Sequence, residues 1–410
     1  MYNKYNCLVA QSGGPTAVIN SSLYGVIMEA SKSNLIGKIY GGLNGIEGII
    51  NDKIIDILSI PYDKLKLIRF SPAAALGSCR YKLKDFKEDD TDYKKLIEIF
   101  KKYNIKFFFY IGGNDSMDAA DKINHYAKEQ GFEIQVIGIP KTVDNDLVFT
   151  DHCPGFGSAA KYIATTTLEL ALDAEVYETK TINVMEVMGR NAGWLTASSA
   201  LAGEKMPYLK QLIYLPEVPF NEEKFLDDVY KAHKEYGNVF ITVSEGIVDE
   251  KGDYVAKREN AYAKDAFGHT QLGGVGDYIE SIIKEKIYKR VKMTRLGVTQ
   301  RSAMHFASKV DFDEAEILGR EAVKYALNGE TGKMIGLIRE SNNPYSVKIG
   351  LIELNKVSNQ EKKIPIQWIN SEGNHITKEF LEYARPLILG EVNIPIVDGI
   401  PYYTNFKYAM

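Results

Sequence analysis

The sequence contains little cysteine: Cys7, Cys79 and Cys153 are the three cysteines among 410 residues. They are isolated and odd in number, which argues against a disulfide framework and predicts a reducing, cytoplasmic setting. The six histidines are scattered without metal-ligand spacing, so a histidine-based zinc site is not expected. No apolar run approaches the length of a membrane span, and a strand-like segment from Asn6 leaves no room for a signal peptide.

An excess of basic residues is also missing. The net charge of −4 argues against a general nucleic-acid-binding protein, although a local basic pocket for a phosphorylated small molecule needs no overall excess. A hydrophobic content of 45% and a charged content of 25% are typical of a soluble globular protein. Because 410 residues exceed the usual size of a single core, we expect two lobes.

Two familiar nucleotide-binding motifs are absent. A first strand at residues 6–11 is followed by the turn Ser12-Gly13-Gly14-Pro15-Thr16 and by a helical pattern, an order typical of nucleotide-type α/β units. The G-x-G-x-x-G spacing of dinucleotide binders and the Walker A lysine do not occur there. A nicotinamide-dependent oxidoreductase is therefore disfavoured, and the Gly-Gly turn alone fits a plain strand-helix connection equally well.

Two neighbouring stretches carry the chemistry. Residues 107–111 and 137–139 are apolar runs that break into Gly112-Gly113-Asn114-Asp115-Ser116 and into Pro140-Lys141-Thr142-Val143-Asp144-Asn145-Asp146. Ligands of open α/β sheets bind beyond the carboxyl ends of parallel strands, so both loops are expected at one site. Glycine amides, a helix amino terminus, a lysine and carboxylates are the parts that phosphoryl transfer requires.

The rest of the chain alternates between strand and helix patterns, which predicts an α/β fold with mainly parallel, helix-covered sheets. Further strands are predicted at 39–42, 181–187, 211–215, 239–243, 292–297, 333–338 and 347–354. Helices are predicted at 17–30, 157–172, 191–202, 221–236, 313–327 and 378–384, and residues 249–260 are expected to form a charged loop.

Single residues of this set have simpler explanations. Asp144 alone fits a helix N-cap or a turn, Lys141 fits an exposed lysine, and Arg80 fits a surface charge. Two aspartates around one asparagine, preceded by Pro-Lys-Thr, are harder to explain as turn chemistry. One carboxylate can accept a hydroxyl proton while the other orients neighbours or a metal ion.

At these residues the sequence resembles the phosphofructokinase family. The stretches 112–116 and 140–146 match its signatures, as do Met188-Gly189-Arg190, Ser244-Glu245-Gly246 and Gln300-Arg301, in the same order. The openings Ser12-Gly13-Gly14 and Leu76 to Arg80 match its first phosphate loops. The resemblance covers roughly residues 5 to 350 and implies transfer of a phosphoryl group to the 1-hydroxyl of fructose 6-phosphate.

The family's site residues carry over onto matching positions. The resemblance implies a catalytic group of Asp144 as base with Thr142 and Arg190; a donor-binding group of Gly14, Arg80, Asp115, Ser116 and Lys141; a sugar-phosphate group of Thr142, Asp144, Asp146, Met188, Gly189, Arg190, Glu245, Lys292 and Arg301; and Asn114 and Asp115 as ligands of Mg²⁺. Lys292 is implied to come from a neighbouring subunit, so the family implies a homodimer or homotetramer with shared active sites.

The phosphoryl donor depends on two positions. Family members that use ATP carry glycine where this chain has Asp115 and Lys141, and members with the residues found here use pyrophosphate. Asp115 would place negative charge and bulk where the α-phosphate of ATP must pass, and Lys141 would fill the same path. We therefore expect pyrophosphate as donor and a readily reversible reaction.

Three positions depart from the family pattern. Asn114 replaces the aspartate that usually binds Mg²⁺, so the metal is expected to rely more on Asp115, Asp144 or pyrophosphate itself. Val298 replaces a histidine, and Thr181 replaces an arginine that commonly helps to bind the 6-phosphate. A looser grip, rebuilt from Lys180 and Lys292, would admit longer sugars such as sedoheptulose 7-phosphate.

The resemblance also implies two Rossmann-like, three-layer lobes with mainly parallel sheets and an active site in the cleft between them. Residues 1–156 with about 300–350 are expected to form the donor lobe, residues 157–299 the sugar-phosphate lobe, and residues 351–410 a C-terminal extension of unassigned role. An ATP-dependent kinase of the same family and a non-catalytic subunit that binds sugar phosphates remain alternatives. Retention of Asp144 and of Lys141 argues against the second.

Overall fold

The computed structural model describes residues 4–255, 274–358 and 360–406. Thirteen strands lie in these residues. In chain order, β1 to β13 are Tyr5–Gln11, Ile36–Gly42, Ile54–Asp56, Ile105–Gly112, Gln135–Pro140, Ile182–Val187, Gln211–Tyr214, Val239–Ser244, Val291–Arg295, Lys333–Asn342, Tyr345–Glu353, Ile396–Val397 and Ile400–Pro401.

The same residues contain thirteen α-helices and five 3₁₀ segments. Helices α1 to α13 are Ile19–Ala30, Gly45–Ile50, Tyr62–Ile68, Thr91–Lys102, Asn114–Glu129, Phe156–Glu175, Trp194–Ala197, Glu222–Tyr236, Val275–Lys286, Thr299–Ser302, Lys309–Leu327, Leu354–Val357 and Lys378–Ala384. The 3₁₀ segments are Ile57–Ser59, Ser198–Glu204, Met304–Phe306, Ile366–Trp368 and Arg385–Ile388.

The described residues divide into two compact units. The first unit comprises residues 4–158, 301–361 without 359, and 390–406, and the second unit comprises residues 159–255, 274–300 and 362–389. The stretch after residue 350, treated above as one extension, is therefore shared: residues 362–389 belong to the second unit, whereas the segments on either side belong to the first.

The first unit is built on a seven-stranded sheet in the order β11-β10-β5-β4-β1-β2-β3, in which the five strands from β10 to β2 are parallel and the edge strands β11 and β3 are antiparallel. Both faces of the sheet are covered. Alternate residues of β1, such as Val9 and Leu8, point into two separate hydrophobic clusters, one shared with α1 and α11 and the other with α2, α4 and α5. This accounts for the continuous apolar runs in the sequence.

Helices α1 and α11 cross in close contact. A Cβ atom built on Gly25 would lie 2.2 Å from the carbonyl oxygen of Glu316, and one built on Gly319 would lie 2.1 Å from the carbonyl oxygen of Ser22. Both positions need glycine because the two backbones approach too closely for a side chain. This contact fixes α11 against the sheet of the first unit.

The second unit contains a four-stranded, fully parallel sheet in the order β7-β8-β6-β9. One hydrophobic cluster joins the strands to α8 and α9, through residues such as Val184, Ile241, Phe225 and Ile279. The predicted α/β class with mainly parallel sheets is confirmed.

Several predicted boundaries are wrong in detail. The helix predicted at 191–202 is a short α-helix, Trp194–Ala197, continued by the 3₁₀ segment Ser198–Glu204. Helix α11 begins at Lys309, four residues before the predicted start, because the Ser308 side chain caps it by accepting from the Asp311 amide. Of the loop expected at 249–260, residues 256–260 lie outside the described residues. None of the helices in the described stretches combines the length and apolar character needed to cross a bilayer.

Candidate active site

The loops that follow β1, β4 and β5 meet at one edge of the first unit's sheet. Strand pairing aligns Gln11 with Ile111 and Gly112 with Pro140, so the three strands end side by side. The Lys141 amide donates to the Gly112 carbonyl oxygen at 3.0 Å, and the Ser12 and Ser116 hydroxyls share a hydrogen bond. The structure thus brings together the two stretches that the sequence singled out and the turn after β1 that contains Gly14.

Two cations converge on the Gly13-Gly14 turn. A Cβ atom on Gly13 would lie 2.8 Å from Nζ of Lys141, and one on Gly14 would lie 2.9 Å from a guanidinium nitrogen of Arg301. Gly13 also has a φ of +75°, which favours glycine. Because neither glycine has a side chain, the ammonium and guanidinium groups lie close to the backbone amides of the turn, as an anion-binding site requires.

Lys141 is buried, with 4% of its surface exposed. Burial lowers the pKa of its ammonium group to about 8, an effect that Arg301 reinforces and that the carboxylates of Asp144 and Asp146 oppose. The group is therefore predominantly charged at neutral pH and loses its proton within the range over which enzyme assays are run.

The 141–146 loop folds back on itself around Thr142. The Thr142 hydroxyl accepts from the Asp144 amide at 3.1 Å and lies 3.4 Å from the Asp144 carboxylate, to which it donates. Asn145 has a φ of +54° and is fully buried. This left-handed residue reverses the chain so that Asp144 and Asp146 both keep part of their surface exposed.

Asp144 and Asp146 interact electrostatically. Burial and the neighbouring charges of Asp144 and Glu361 together raise the pKa of Asp146 well above its usual range. Two interacting carboxylates resist ionising together, so the pair can share a proton or hold a cation. Glu361 lies 215 positions beyond Asp146 in the chain, and no local sequence signal links the two residues.

The remaining donor-side residues lie around the start of α5. Asn114 and Asp115 occupy its first turn, and the Asn114 side-chain amide donates to the Gln360 carbonyl oxygen. A Cβ atom on Gly113 would lie 3.8 Å from Nζ of Lys141, so the lysine also adjoins this helix start. Ser116 is buried, and Arg80 is exposed.

A protein cage for a metal ion is not present in the described residues, where no group of three or more histidine, cysteine or acidic side chains could hold one. Mg²⁺ usually binds through one or two carboxylates and completes its octahedron with water and substrate phosphates. The Asp144–Asp146 pair is compatible with that kind of site.

In the second unit, the loops after β6 and β8 support each other. Val187 pairs with Ser244 at the ends of these adjacent parallel strands, and the Ser244 hydroxyl donates to the Gly189 carbonyl oxygen. A Cβ atom on Gly246 would lie 1.9 Å from the carbonyl oxygen of Arg190. The predicted sugar-phosphate residues of this unit, Met188, Gly189, Arg190 and Glu245, are thus brought together by direct backbone contact.

Lys292 does not join that group within the chain. It lies on β9 opposite Asn183, five residues before Met188 along β6, which corresponds to about 16 Å at the rise of a parallel strand. Its ammonium group pairs with Asp173 at 3.1 Å. Arg301, the other predicted 6-phosphate residue, belongs to the first unit beside Gly14.

Two of the departures from the family pattern differ in exposure. Val298 is 58% exposed, so a histidine at this position would have had access to solvent. Thr181 is completely buried, its amide donates to the Asn238 side chain at 2.8 Å, and its buried hydroxyl lacks a hydrogen-bond partner among the described residues. Thr181 itself is therefore not presented to a ligand.

A phosphofructokinase family model matches residues 6–326. The chain is 42% identical to the pyrophosphate–fructose 6-phosphate 1-phosphotransferase of Halomonas elongata over 97% of this chain and 95% of that protein. The enzyme of the same name from Xanthomonas campestris is also 42% identical, with 98% of this chain and 96% of that protein covered.

Among solved structures, the fold is similar to the pyrophosphate-dependent phosphofructokinase of Nitrosospira multiformis. The TM-score is 0.88 with 39% identity, and the match covers 97% of this chain and 95% of that chain. Both the family model and these relatives extend over most of the sequence, and the matched range includes the loops described above. The chain belongs to the phosphofructokinase family.

Proposed function

We propose that this protein catalyses reversible transfer of a phosphoryl group from pyrophosphate to the 1-hydroxyl of fructose 6-phosphate, giving fructose 1,6-bisphosphate and phosphate in glycolysis. The observation that carries the proposal is the position of Lys141, buried and charged against the Gly13 turn with Arg301 beside it. Relatives that are 42% identical over nearly their whole length bear the name of this activity.

In this proposal Asp144 removes the proton from the acceptor hydroxyl as its oxygen bonds to the transferred phosphorus. The bond from that phosphorus to the bridging oxygen breaks, and phosphate leaves with the bonding electron pair. Lys141 and Arg301 offset the charge of the transferred group, while Gly14, Arg80 and Ser116 hold the rest of the donor. The contact between Thr142 and Asp144 orients the base.

The acceptor is assigned to the second unit's loops. Met188, Gly189, Arg190 and Glu245 would hold the sugar, with Arg190 also acting on the reacting group. The backbone contacts between the two loops give them a fixed shape, which supports a role in recognising one acceptor. Asp146 is assigned a place beside the reacting phosphate, and Arg301 is assigned to the transferred phosphoryl group, as Lys141 is.

Pyrophosphate is favoured over ATP because of the charges at the start of α5. Asp115 sits in the first turn of that helix, and Lys141 lies against Gly113 immediately before it. A donor with a nucleotide attached would have to pass a carboxylate and a buried ammonium group. Desolvating like charges against each other costs several kcal/mol.

Mg²⁺ is proposed as the cofactor, held by Asp115 and Asn114 with help from the Asp144–Asp146 pair and the pyrophosphate oxygens. When bound, it would offset the negative charge of the phosphates. The amide of Asn114 is an uncharged ligand, so we expect the free protein to bind Mg²⁺ weakly and the Mg²⁺–pyrophosphate complex more tightly.

A homodimer or homotetramer is proposed, in the cytoplasm. The positions that the family resemblance links to the 6-phosphate, Lys180, Thr181 and Lys292, lie together at the amino ends of β6 and β9. Within one chain this group is separated along β6 from the Met188 loop, so Lys292 can serve the site only from a neighbouring subunit. Sedimentation analysis of wild type tests the association.

A donor-swap assay tests the function. Purified protein is given fructose 6-phosphate, Mg²⁺ and either pyrophosphate or ATP, and fructose 1,6-bisphosphate is measured; activity with pyrophosphate alone is expected. Activity with ATP alone would overturn the donor assignment. Binding of fructose 6-phosphate with turnover by neither donor would favour a non-catalytic sugar-phosphate-binding subunit. Sedoheptulose 7-phosphate as acceptor tests the looser sugar specificity.

A double substitution tests the physical basis of donor choice. Asp115→Gly with Lys141→Gly removes both charges from the start of α5, and we expect activity with ATP to appear while the pyrophosphate activity falls at least about a hundredfold. Continued exclusion of ATP in a folded double variant would show that other residues block the nucleotide.

A further inference from the structure

Helix α11 reaches the segment that follows the 141–146 loop with two buried carboxylates. Asp311 is 1% exposed and accepts three hydrogen bonds, from the Gly155 amide at 2.8 Å, from the Ser158 amide at 2.9 Å and from the Ser158 hydroxyl at 2.5 Å. Glu314, one turn further along α11, is 5% exposed. Neither residue belongs to the motifs described above.

Glu314 is paired with a buried histidine. In His152, Nδ1 lies 2.8 Å from the Asp151 carboxylate and Nε2 lies 2.6 Å from the Glu314 carboxylate. Because a carboxylate faces each ring nitrogen, both nitrogens carry protons and the ring is a cation. Burial alone would lower the pKa of His152, but Glu314 and Asp151 outweigh it and raise that pKa to about 9.

A second layer of side chains holds these carboxylates. Arg339 donates to Asp151 at 2.8 Å, and the Tyr345 hydroxyl donates to Glu314 at 2.6 Å. Both come from β10 and β11 at the edge of the first unit's sheet. The ionic cluster is thus tied to the sheet on one side and, through α11, to α1 on the other.

Backbone and side-chain hydrogen bonds connect segment 150–158 to the 141–146 loop. The Thr142 amide donates to the Pro154 carbonyl oxygen at 3.2 Å, and Thr142 pairs with Gly155, whose own amide is held by Asp311. The Cys153 amide donates to the Asn145 side chain at 3.0 Å. Two of the loop's residues are therefore one hydrogen bond away from a segment that α11 holds in place.

Buried charged side chains hold segment 150–158 in place, although neutral hydrogen-bonding groups would be enough to hold a turn. Burial raises the pKa of Asp311, and the hydrogen bonds from Ser158 and Gly155 only partly oppose that effect. A buried carboxylate is a weak contributor to stability compared with a well-packed apolar group, but its hydrogen bonds fix directions strongly. Such an arrangement suits a loop whose geometry matters more than its stability.

We propose that Asp311, together with the Glu314–His152 pair, positions the 141–146 loop so that Thr142 and Asp144 face the acceptor hydroxyl in the reactive geometry. These are positioning residues, since none of them contacts the reacting atoms. The proposal rests on the proposed function in one respect, the assignment of Asp144 as the base.

The first test is kinetic and uses Asp311→Asn, which keeps the shape but removes the charge and turns one acceptor into a donor. We expect kcat to fall roughly 10- to 100-fold while KM for each substrate changes less than about threefold, as for a base that is misplaced by a fraction of an ångström. Combined with Asp144→Asn, the same change should lower kcat by less than about twofold, because the group it positions is gone.

The matched control is Glu316→Gln on the same helix. The Glu316 side chain is 14% exposed and pairs with Arg69 at 2.5 Å and with Arg320 at 2.6 Å, on the side facing α1. Both of its ion-pair partners lie outside segment 150–158, so we expect reduced thermal stability with kcat within about twofold of wild type. An equal loss of kcat in Glu316→Gln would overturn the proposal, and so would full multiplication of the Asp311→Asn loss in the Asp144→Asn background.

The second test needs no activity. Cys153 lies within segment 150–158 and is fully buried. Elsewhere in the first unit, Cys7 is also fully buried and Cys79 is 7% exposed. Thiol alkylation of the full chain, followed by mass spectrometry of each cysteine, should show at least about tenfold faster labelling of Cys153 in Asp311→Asn, with the other two unchanged. Ser158→Ala, a milder change, should give a smaller shift at Cys153 and serves if Asp311→Asn does not fold.

The outcomes separate the two proposals. Faster labelling of Cys153 alone, in a protein without pyrophosphate activity, would support the anchoring and defeat the proposed function. Unchanged Cys153 labelling, or equal acceleration at all three cysteines, would overturn the positioning role even if wild type proves active with pyrophosphate.

Discussion

Both units bring two loops together beyond the ends of neighbouring strands, but the loops of the first unit carry charged groups and those of the second unit are in backbone contact. In each unit, two loops leave the carboxyl ends of adjacent parallel strands, β4 and β5 in the first unit and β6 and β8 in the second. In the first unit the loops carry a buried lysine and interacting carboxylates. In the second unit the Gly189 and Gly246 loops touch through backbone atoms and a serine hydroxyl.

The difference matches what each loop pair is proposed to bind. Negative charge shifts during transfer of a phosphoryl group, so the loops that bind this group need charged side chains already in position. Burying those side chains costs desolvation free energy. A sugar presents a fixed set of hydroxyls, so its loops need shape. Electrostatic changes should therefore impair the first unit's loops most, whereas added volume should impair the second unit's loops most.

The largest expected effect comes from removing the proposed base. Asp144→Asn keeps the side chain's shape and its hydrogen bond from Thr142 but cannot accept the acceptor proton, so we expect kcat to fall about 10²- to 10⁴-fold with little change in stability. Steady-state kinetics with both substrates measures this. The control is Asp313→Asn, a half-exposed aspartate of α11 paired with Lys309, which should leave kcat unchanged. A loss below tenfold in Asp144→Asn would remove it from the role of base.

The meeting of the two charged loops was predictable from the sequence because each loop follows a strand-like apolar run. Apolar runs before Gly112 and Lys141 marked parallel strands, and parallel neighbours deliver their loops to one edge. The convergence of Arg301 on Gly14 and of Glu361 on Asp146 was not predictable in this way. These contacts join segments hundreds of residues apart, and periodicity carries no information about such distances.

A helix boundary is also not predictable from local pattern where a side chain outside the helix sets it. The segment after Arg190 reads as one helix, but the Gly193 amide donates to the Glu217 side chain at 2.9 Å, and the regular helix starts only at Trp194. The ionic cluster around His152 escaped notice for the same reason. Asp151 and His152 look like ordinary loop residues until Glu314 and Arg339 are known to face them.

The next largest effect tests the shape-based loops of the second unit. Gly246→Ala places a methyl group against the Arg190 carbonyl oxygen and must displace the 188–190 backbone. We expect KM for fructose 6-phosphate to rise roughly 10- to 100-fold, with KM for pyrophosphate within about twofold. Steady-state kinetics with each substrate varied in turn measures both values.

Gly131→Ala is the control for that substitution. Gly131 has a φ of +64° and open space around it, so alanine strains the backbone without meeting a neighbour. It should lower stability by about 1 kcal/mol and leave both KM values unchanged. Equal rises of both KM values in Gly246→Ala would mean that the two loop pairs are not independent.

A smaller effect tests the charge-based loops through pH. Because the pKa of Lys141 is lowered to about 8, the ammonium group loses its proton as pH rises through that value. We expect kcat/KM for pyrophosphate to decline above pH 8 by up to about tenfold per pH unit, since this ratio reports ionisations of the free enzyme. Lys141→Arg keeps a positive charge over the whole range, so its overall rate can be lower but the decline should disappear. A decline that persists in Lys141→Arg would come from another group or from pyrophosphate.

The smallest effect separates the ionic cluster of the first unit from its catalytic loop, and it appears in stability instead of rate. The pKa of His152 is raised from 6.5 to about 9, so its protonated form stabilises the folded state fully below pH 6.5, and this stabilisation is lost as pH rises through 9. Lys141 acts in the opposite sense, because a lysine with a lowered pKa favours the folded state increasingly as pH rises above 8.

The measurement compares the unfolding free energies of wild type and His152→Gln. Because Lys141 is present in both proteins, its contribution cancels in the difference between them. We expect that difference, from urea titrations at pH 6 to 9.5, to shrink with rising pH by no more than about 3 kcal/mol. A difference that stays constant over this range would mean that His152 is not the cation that holds Asp151 and Glu314 together, and the electrostatic account of the first unit would have to rest on Lys141 alone.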